Sequence, residues 1–382
     1  MGIGFILLIL CSFLLIEWVG RRLPMQSRLL FQTITCFAIL VIFFCLRDLP
    51  VLNDTGHYYE TQYLLVKKGL QNIDIFEPYN LRYEYLFQVW SSFIARYIWH
   101  DAYAIVFITS FLVSIANIWF ISKYTTHIAL VIFLNFQYML FMNSANRQAY
   151  AIMLFYIGIC LLIKRKYGLY YILIFIAYFF HSSAIILLII PIFNKISLNK
   201  KNVYILFFIG IIISLLVYPL LDILGYSDTE YYVSNSVRKS LPIAQTLNFI
   251  WYALMLCAIY YIRKIYSIKF PYTIFTWLST LCVIWQIIGI PFLVFSRFAS
   301  YFQMIIVIEL IYCIYHLSAR TDLAARVRRY KLITRNNILA LFIIFNMIKL
   351  CVITEYKNEW FHLVPYTFYD FAPKYHNYKF GY

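Results

Sequence analysis

The sequence predicts an all-α polytopic integral membrane protein, a single transmembrane domain over residues 1–382 with about twelve membrane-spanning helices. Three observations predict it. Apolar and aromatic residues make up 63% of the chain and charged residues only 13%, far less charge than a water-soluble globule carries. The apolar residues gather into runs close to the roughly 20 residues a helix needs to cross a hydrocarbon core ~30 Å thick. The basic residues fall between alternate runs, the mark of a fixed orientation.

In order, the runs are 3–19, 29–46, 103–121, 127–142, 147–163, 169–180, 182–193, 202–220, 243–262, 271–290, 297–316 and 336–353. A thirteenth stretch, 83–99, decides the topology of everything after it. If it crossed, Lys164-Arg165-Lys166, Lys200-Lys201, Arg263-Lys264 and the run from Arg320 to Arg335 would face away from Arg21-Arg22, against the positive-inside bias. If it lies on the outer surface, the connections 20–28, 122–126, 164–168, 194–201, 263–270 and 317–335 are all cytoplasmic. They then hold 19 of the 32 Lys and Arg residues and a single acid, Asp322. The net charge of +16 is therefore a topology signal and not a nucleic-acid footprint, and no nucleic-acid partner is expected.

Within 83–99, Arg82, Glu84, Gln88, Ser91, Ser92 and Arg96 interrupt the aromatic residues at roughly helical spacing, as in a helix lying in the membrane interface. The expected outer segments are a loop at 47–102 containing this helix, a loop at 221–242 and a C-terminal tail at 354–382, with both termini outside. Met1–Val19 has no basic residue before it and Arg21-Arg22 after it, so it is expected to remain as a span.

Several function classes lose support. The eight cysteines all lie in apolar runs without a C-x-x-C pair, as small apolar fillers do. There is no Walker loop, G-x-G-x-x-G or H-E-x-x-H, so neither nucleotide-driven transport nor zinc hydrolysis is indicated. No Asp-x-Asp pair is present, and no metal or cofactor is expected. A proton-coupled transporter calls for charge near the midplane and repeated halves. Here Glu17, Glu309 and Lys349 lie toward the ends of their runs, where structural roles and snorkelling explain them.

Polar clusters recur instead where runs meet the outer face. They are Arg47-Asp48 through Asn53-Asp54-Thr55-Gly56-His57-Tyr58, then Arg82 with Glu84, Asn143 through Gln148, His181-Ser182-Ser183, and Ser296-Arg297 with Tyr301. Each alone reads as helix capping or an interfacial anchor. Five on one side, from distant parts of the chain, read as an assembled site. The chemistry these residue types permit is transfer from a diphosphate. Arg147 and Arg297 open helices that run inward from the outer face, which adds free N–H groups and the helix dipole to their forked donors. Asp54, Glu84, His57 or His181 can take a proton from an attacking hydroxyl. Tyr58, Tyr59, Tyr63, Tyr79, Tyr83 and Trp90 suit either stacking on sugars or an aromatic belt.

These residues, in this order, resemble the EpsG-like branch of bacterial Wzy-type polysaccharide repeat-unit polymerases. The family pattern of an Arg, Asp-Thr and a Tyr after an early span is matched by Arg47, Asp54-Thr55 and Tyr58. A Glu opening a periplasmic helix is matched by Glu84, and Arg-Gln-x-x-Ala by Arg147-Gln148-Ala149-Tyr150-Ala151. Phe-His-x-Ser-Ala is matched by Phe180-His181-Ser182-Ser183-Ala184, and a late Arg-x-x-x-Tyr by Arg297 and Tyr301. The chain departs from the pattern at Leu52, where a Gly is usual.

The resemblance implies a GT-C-like glycosyltransferase of the bacterial inner membrane, working at the periplasmic face on two undecaprenyl-diphosphate-linked oligosaccharides. It would move the growing glycan onto the non-reducing sugar of an incoming repeat unit, in some systems with a chain-length regulator as partner. On this basis Arg147 and Arg297 are expected to hold diphosphate. Asp54 is the first choice for activating the acceptor, ahead of His181 and Glu84. Arg47, Thr55, His57, Tyr58, Arg82, Gln148, Ser183 and Tyr301 are expected to complete the substrate site. An O-antigen ligase, or another transferase using lipid-linked sugars, would need the same diphosphate site and is separated only by motif order. A lipid-oligosaccharide flippase would need charge through the membrane depth, and a scaffold would need none of these clusters.

Overall fold

The computed structural model describes residues 3–52, 54–67, 83–223, 235–266, 268, 270–291, 293–316, 325–352, 354, 362–364 and 366–369. Among them every regular element is a helix: α1 (Ile3–Gly20), α2 (Met25–Leu40), α3 (Thr55–Lys67), α4 (Tyr85–Phe93), α5 (Ala104–Ser122), α6 (Ile128–Leu134), α7 (Phe136–Ser144), α8 (Asn146–Ile163), α9 (Tyr167–Phe180), α10 (Ile190–Phe193), α11 (Lys200–Ile223), α12 (Asn235–Tyr266), α13 (Thr273–Gly289), α14 (Leu293–His316) and α15 (Ala325–Cys351). α2 and α4 continue into π-helical turns at Val41–Cys45 and Ile94–Ile98, and a 3-10 helix over Ser182–Ile189 leads into α10. Seven described helices are long and apolar enough to cross a membrane, and shorter apolar helices cover Tyr167–Phe180, Ser182–Phe193 and Thr273–Gly289. The protein is thus an α-helical, multi-pass membrane protein.

Two compact units make up the chain. The first comprises Met1–Gly158, Tyr171–Ser182 and Leu341–Tyr382. In it α1 packs on α2 and α6, and α5 packs on α2 and α3. Gly20 lets α2 come close, because a Cβ there would stand 2.6 Å from the Gln32 amide nitrogen. Gln32 Nε2 donates to Glu17 at 3.0 Å, and Arg21 and His127 bind the same carboxylate at 2.9 and 2.6 Å. Glu17 is thereby satisfied within the protein. Lys349 is 7% exposed and packs inside the protein, so the snorkelling expected of it is not what its side chain does.

Two of the expected spans differ in form. The run 127–142 is interrupted at Asn135, whose φ of −113° and ψ of 23° leave the helical region. Every residue of α6 is buried, so this segment is apolar on all sides because protein surrounds it. The run 182–193 begins as a 3-10 helix, whose rise of about 2.0 Å per residue lets few residues cover more distance than an α-helix would.

Between α2 and α4 lies a helix beyond the sequence expectation, α3, with Thr55, Tyr58, Tyr59, Gln62 and Leu65 buried at helical spacing. Tyr58 and Tyr59, with Phe87, Ile94, Tyr103 and Tyr150, form a core against which Phe180 and Tyr369 pack. α4 sits on this core with its polar residues inward: Gln88, Ser91 and Ser92 are buried, while Tyr85, Phe93, Tyr97 and Ile98 are exposed. Gln62 Nε2 donates to Ser91 O at 3.1 Å and Gln88 Nε2 to Tyr83 O at 2.6 Å. The C-terminal segment closes the loop from the other side. Asp48 N donates to Thr367 O and Tyr369 N to Leu46 O, each at 2.9 Å, and Tyr369 stacks on Tyr103 at 3.9 Å.

The second unit comprises Ile159–Tyr170 and Ser183–Ala340, with α13 packed on α11, α12 and α14. Glu309, fully buried, accepts from Arg263 at 3.0 Å, Thr276 at 2.5 Å and Ser279 at 2.7 Å. Gly289 ends α13 where a Cβ would meet the Ser296 backbone nitrogen at 2.7 Å. Gly289→Val is therefore expected to push the start of α14 away and cost about 1–3 kcal/mol. A thermal melt in detergent checks this, and an unchanged midpoint would show that the turn yields freely.

Candidate functional site

Glu84 is the residue from which the site is built. It precedes α4 in an extended conformation (φ −64°, ψ 145°), and its side chain makes no hydrogen bond to the helix it opens. Its carboxylate instead joins two distant segments. Oε2 accepts from Arg147 Nη1 at 2.6 Å, in the first turn of α8. Oε1 lies 2.9 Å from His181 Nδ1 and accepts from the Ser182 backbone N–H at 3.2 Å, just after α9. The guanidinium of Arg147 also lies 4.8 Å over the Tyr83 ring and hydrogen-bonds the Tyr58 hydroxyl. The side chains of Arg147, Glu84 and His181 are 24%, 19% and 13% exposed, so the trio is recessed yet reachable. Beneath it, Phe87 packs on Tyr58 and Tyr83, and Tyr150 stacks on Phe180 at 5.1 Å.

Charge state follows from this arrangement. Burial pushes the Glu84 carboxyl up, but the hydrogen bond from His181 and the charges of Arg147 and His181 outweigh it and bring the carboxyl down to about 2. At neutral pH Glu84 is a carboxylate, which only accepts, so the Nδ1 facing it must carry the proton. Nε2 of a neutral His181 is then the nitrogen with the lone pair, and among the described residues nothing hydrogen-bonds to it. Burial pushes the Tyr58 phenol up, so it remains protonated.

Because the folded-state value of Glu84 lies below its ordinary 4.5, its pairing stabilises the fold fully above that pH, and the contribution disappears as pH falls toward 2. In an acid titration, wild type and Glu84→Gln are expected to differ most near neutrality and to converge near pH 2. A gap that stays constant across this range would show that the carboxylate charge is not what holds the trio.

Arg47, grouped with the substrate-binding residues on sequence, stands elsewhere. It is fully buried, and its donors go to Phe44 O, to Ser110 Oγ at 2.6 Å, to Asn143 O at 2.7 Å and to Thr55 Oγ1 at 3.2 Å. Two of these acceptors are carbonyls in the last turns of the α2 extension and of α7. A cation there meets the negative ends of two helices, which explains a buried charge whose partners are all neutral. Thr55, also fully buried, relays the contact to Val51 O at 2.9 Å. Leu52 holds the bend before Asp54 with φ 69°, in the left-handed region that favours glycine. The strain of about 1–2 kcal/mol is offset by burying its side chain, which is 1% exposed.

The other sequence candidates divide between the units. In the first, Asp54 is half-buried and acts electrostatically on Tyr58, His57 is exposed, and Gln148 is buried. In the second, Ser183 Oγ and the buried Tyr301 hydroxyl are 2.9 Å apart, and Arg297 lies one turn before Tyr301 on α14, half-buried. Arg82 lies outside the described residues, as do 224–234 of the expected loop at 221–242 and most of 354–382. Sequence reasoning missed the buried hydroxyl of Ser110, and it singled out Tyr83 and Asn146 without the place of the one under Arg147 or the unmet bonding of the other. Asn146 is fully buried at the start of α8, with neither side-chain polar atom bonded among the described residues. Hydroxyl and amide residues are too common in membrane helices for spacing to single these out.

Fold and site together define an α-helical, multi-pass membrane protein with an arginine–glutamate–histidine centre formed where Glu84 meets the first turn of α8 and the residue after α9. The EpsG family model matches residues 30–368, and the chain belongs to the EpsG family. No curated protein and no solved structure matches it. Family membership points to a polysaccharide-polymerase-like, glycosyltransferase-like role in polysaccharide biosynthesis at a membrane.

Proposed function

We propose that the protein is a polysaccharide polymerase of the bacterial inner membrane, transferring a growing glycan from undecaprenyl diphosphate onto the non-reducing end of an undecaprenyl-diphosphate-linked repeat unit. In this reading all twelve apolar runs span the membrane in a GT-C-like architecture. Both termini and the site face the periplasm, with α4 seated by its aromatic face in the membrane interface. The observation that carries the proposal is the division of Glu84 between Arg147 and His181, which pairs an anion-binding fork with an oriented imidazole.

The roles follow from the geometry. His181 Nε2 takes the proton of the acceptor hydroxyl, whose oxygen bonds to the anomeric carbon of the donor glycan. The bond from that carbon to the diphosphate oxygen breaks, and its electron pair leaves with undecaprenyl diphosphate. Arg147, at the N-terminal turn of α8, stabilises the charge that develops there. Glu84 fixes the ring and tautomer of His181, as the carboxylate does in a Ser-His-Asp triad. In this reading His181 stands ahead of Asp54 as the base, because the Glu84 carboxylate fixes its ring and tautomer. Arg297 keeps a diphosphate-binding role of its own, and Arg47 with Thr55 holds the loop from which Asp54 and α3 start.

Deleting the gene in its host and resolving surface polysaccharide and lipid-linked intermediates on gels tests this. The expected result is acceptor carrying a single repeat with no ladder, restored by wild type and not by Arg147→Ala or Arg297→Ala. Polymer retained on its lipid carrier would make the protein a ligase instead. Repeats trapped on the cytoplasmic leaflet would make it a flippase.

A further inference from the structure

We infer that Glu84 is a displaceable counter-ion, occupying the Arg147 guanidinium until the lipid diphosphate takes it and then turning wholly to His181, so that substrate arrival completes the acid–histidine pair. The inference rests on the reading of Arg147 as a diphosphate ligand.

Geometry supports an exchange more than a fixed tie. Glu84 commits a different oxygen to each partner, Oε2 to Arg147 and Oε1 to His181. Losing Arg147 therefore leaves the second contact, and the Ser182 N–H beside it, in place. Arg147 in turn keeps its position without Glu84, because the Tyr83 ring lies under its guanidinium and the Tyr58 hydroxyl bonds it. Both ends of the ion pair are anchored independently of each other. Both are also open enough for an anion to enter, at 24% and 19% exposure.

The competition has a direction. A diphosphate diester carries two negative charges and several oxygens against one carboxylate, and it meets the fork bidentately. Once displaced, Glu84 is no longer shared with a cation, and its full charge faces the imidazole that must accept the hydroxyl proton. The empty enzyme thus holds Glu84 partly neutralised by Arg147, and the loaded one turns its full charge on His181. Glu84 is a positioning residue in this scheme, acting through Arg147 and His181.

Its signature is a split that a purely structural residue would not produce. With purified protein in detergent and inorganic diphosphate as probe, Glu84→Gln is expected to bind about tenfold more tightly than wild type, because the competitor for Arg147 is gone. The same variant is expected to polymerise at least about tenfold more slowly, because His181 has lost its carboxylate. Glu84→Asp, which keeps the charge, should stay near wild type in binding. Equal or weaker binding by Glu84→Gln would overturn the exchange and leave Glu84 a structural tie.

A second measurement uses the wild type alone. Diphosphate is expected to move the His181 Nδ1–H proton resonance downfield as its hydrogen bond shortens, and to leave it unmoved in Arg147→Ala. Saturating diphosphate without that movement in the wild type would also overturn the proposal. If wild type and Arg147→Ala bind the probe equally, the diphosphate reading of Arg147 itself fails, which is a separate result.

Discussion

Arg147→Ala is expected to lower polymerisation by roughly two to three orders of magnitude, the usual loss when one preorganised donor to a developing charge is removed. The protein should still accumulate, because Glu84 keeps His181 and the Ser182 N–H when Arg147 is gone. Arg147→Lys should recover only a small part. An ammonium can reach one oxygen of Glu84 or of a phosphate, but it has no planar fork for two and a weaker contact with the Tyr83 face. Lys164→Ala, in the short turn after α8, should leave the ladder near wild type. Purified lipid-linked repeat units and a gel assay of chain length supply the measurement. Comparable activity in all three variants would remove Arg147 from the chemistry.

The second large effect falls on stability. Arg47→Met is expected to cost about 3 kcal/mol or more. Four oxygens lose a charged donor, each hydrogen bond of that kind contributing about 1.5–3 kcal/mol, and recovered desolvation offsets only part of it. The loss spreads because the four acceptors belong to the end of α2, to α5, to α7 and to the start of α3. A midpoint lower by roughly 5 °C or more in detergent, with loss of activity following the loss of folded protein, is the expected outcome. A variant that melts like wild type yet makes no polymer would instead return Arg47 to direct substrate binding.

The two arginines show where sequence reading stops. Both stand in polar clusters beside apolar runs, and a motif cannot tell which side chain turns inward. Arg47 lies between two helix ends and is sealed by α5 and by residues 366–369. Arg147 begins α8 on the side where Glu84 and Tyr83 arrive just before α4. Burial decides the matter, and burial depends on residues far away in the chain. Leu52 carries a similar lesson: the family pattern has glycine there, and the left-handed turn persists with leucine because the surrounding core repays the strain.

α4 was legible as a helix but not in its facing. The alternation of aromatic and polar residues predicts an amphipathic segment, and a reader of sequence alone assigns the polar face to water. Here Gln88, Ser91 and Ser92 point into the protein beside Phe87, while Tyr85, Phe93 and Tyr97 point out. α3 escaped notice because five of its buried positions are Tyr, Thr, Gln or Gly, which carry little hydropathy signal.

By itself, the sequence determined what depends on local composition and order: a helical membrane protein, where its apolar helices lie, and the succession of motifs that places it in the EpsG family. These are properties of short windows, since hydrocarbon length and the bias of basic residues act on each segment separately. Only the tertiary structure decided that residues 84, 147 and 181 meet, that Glu84 divides its oxygens between a guanidinium and an imidazole, and that Arg47 is buried with its donors on four oxygens of the protein. Those facts rest on side-chain directions within a few ångströms, set by how helices distant in sequence pack, and no spacing along the chain encodes them.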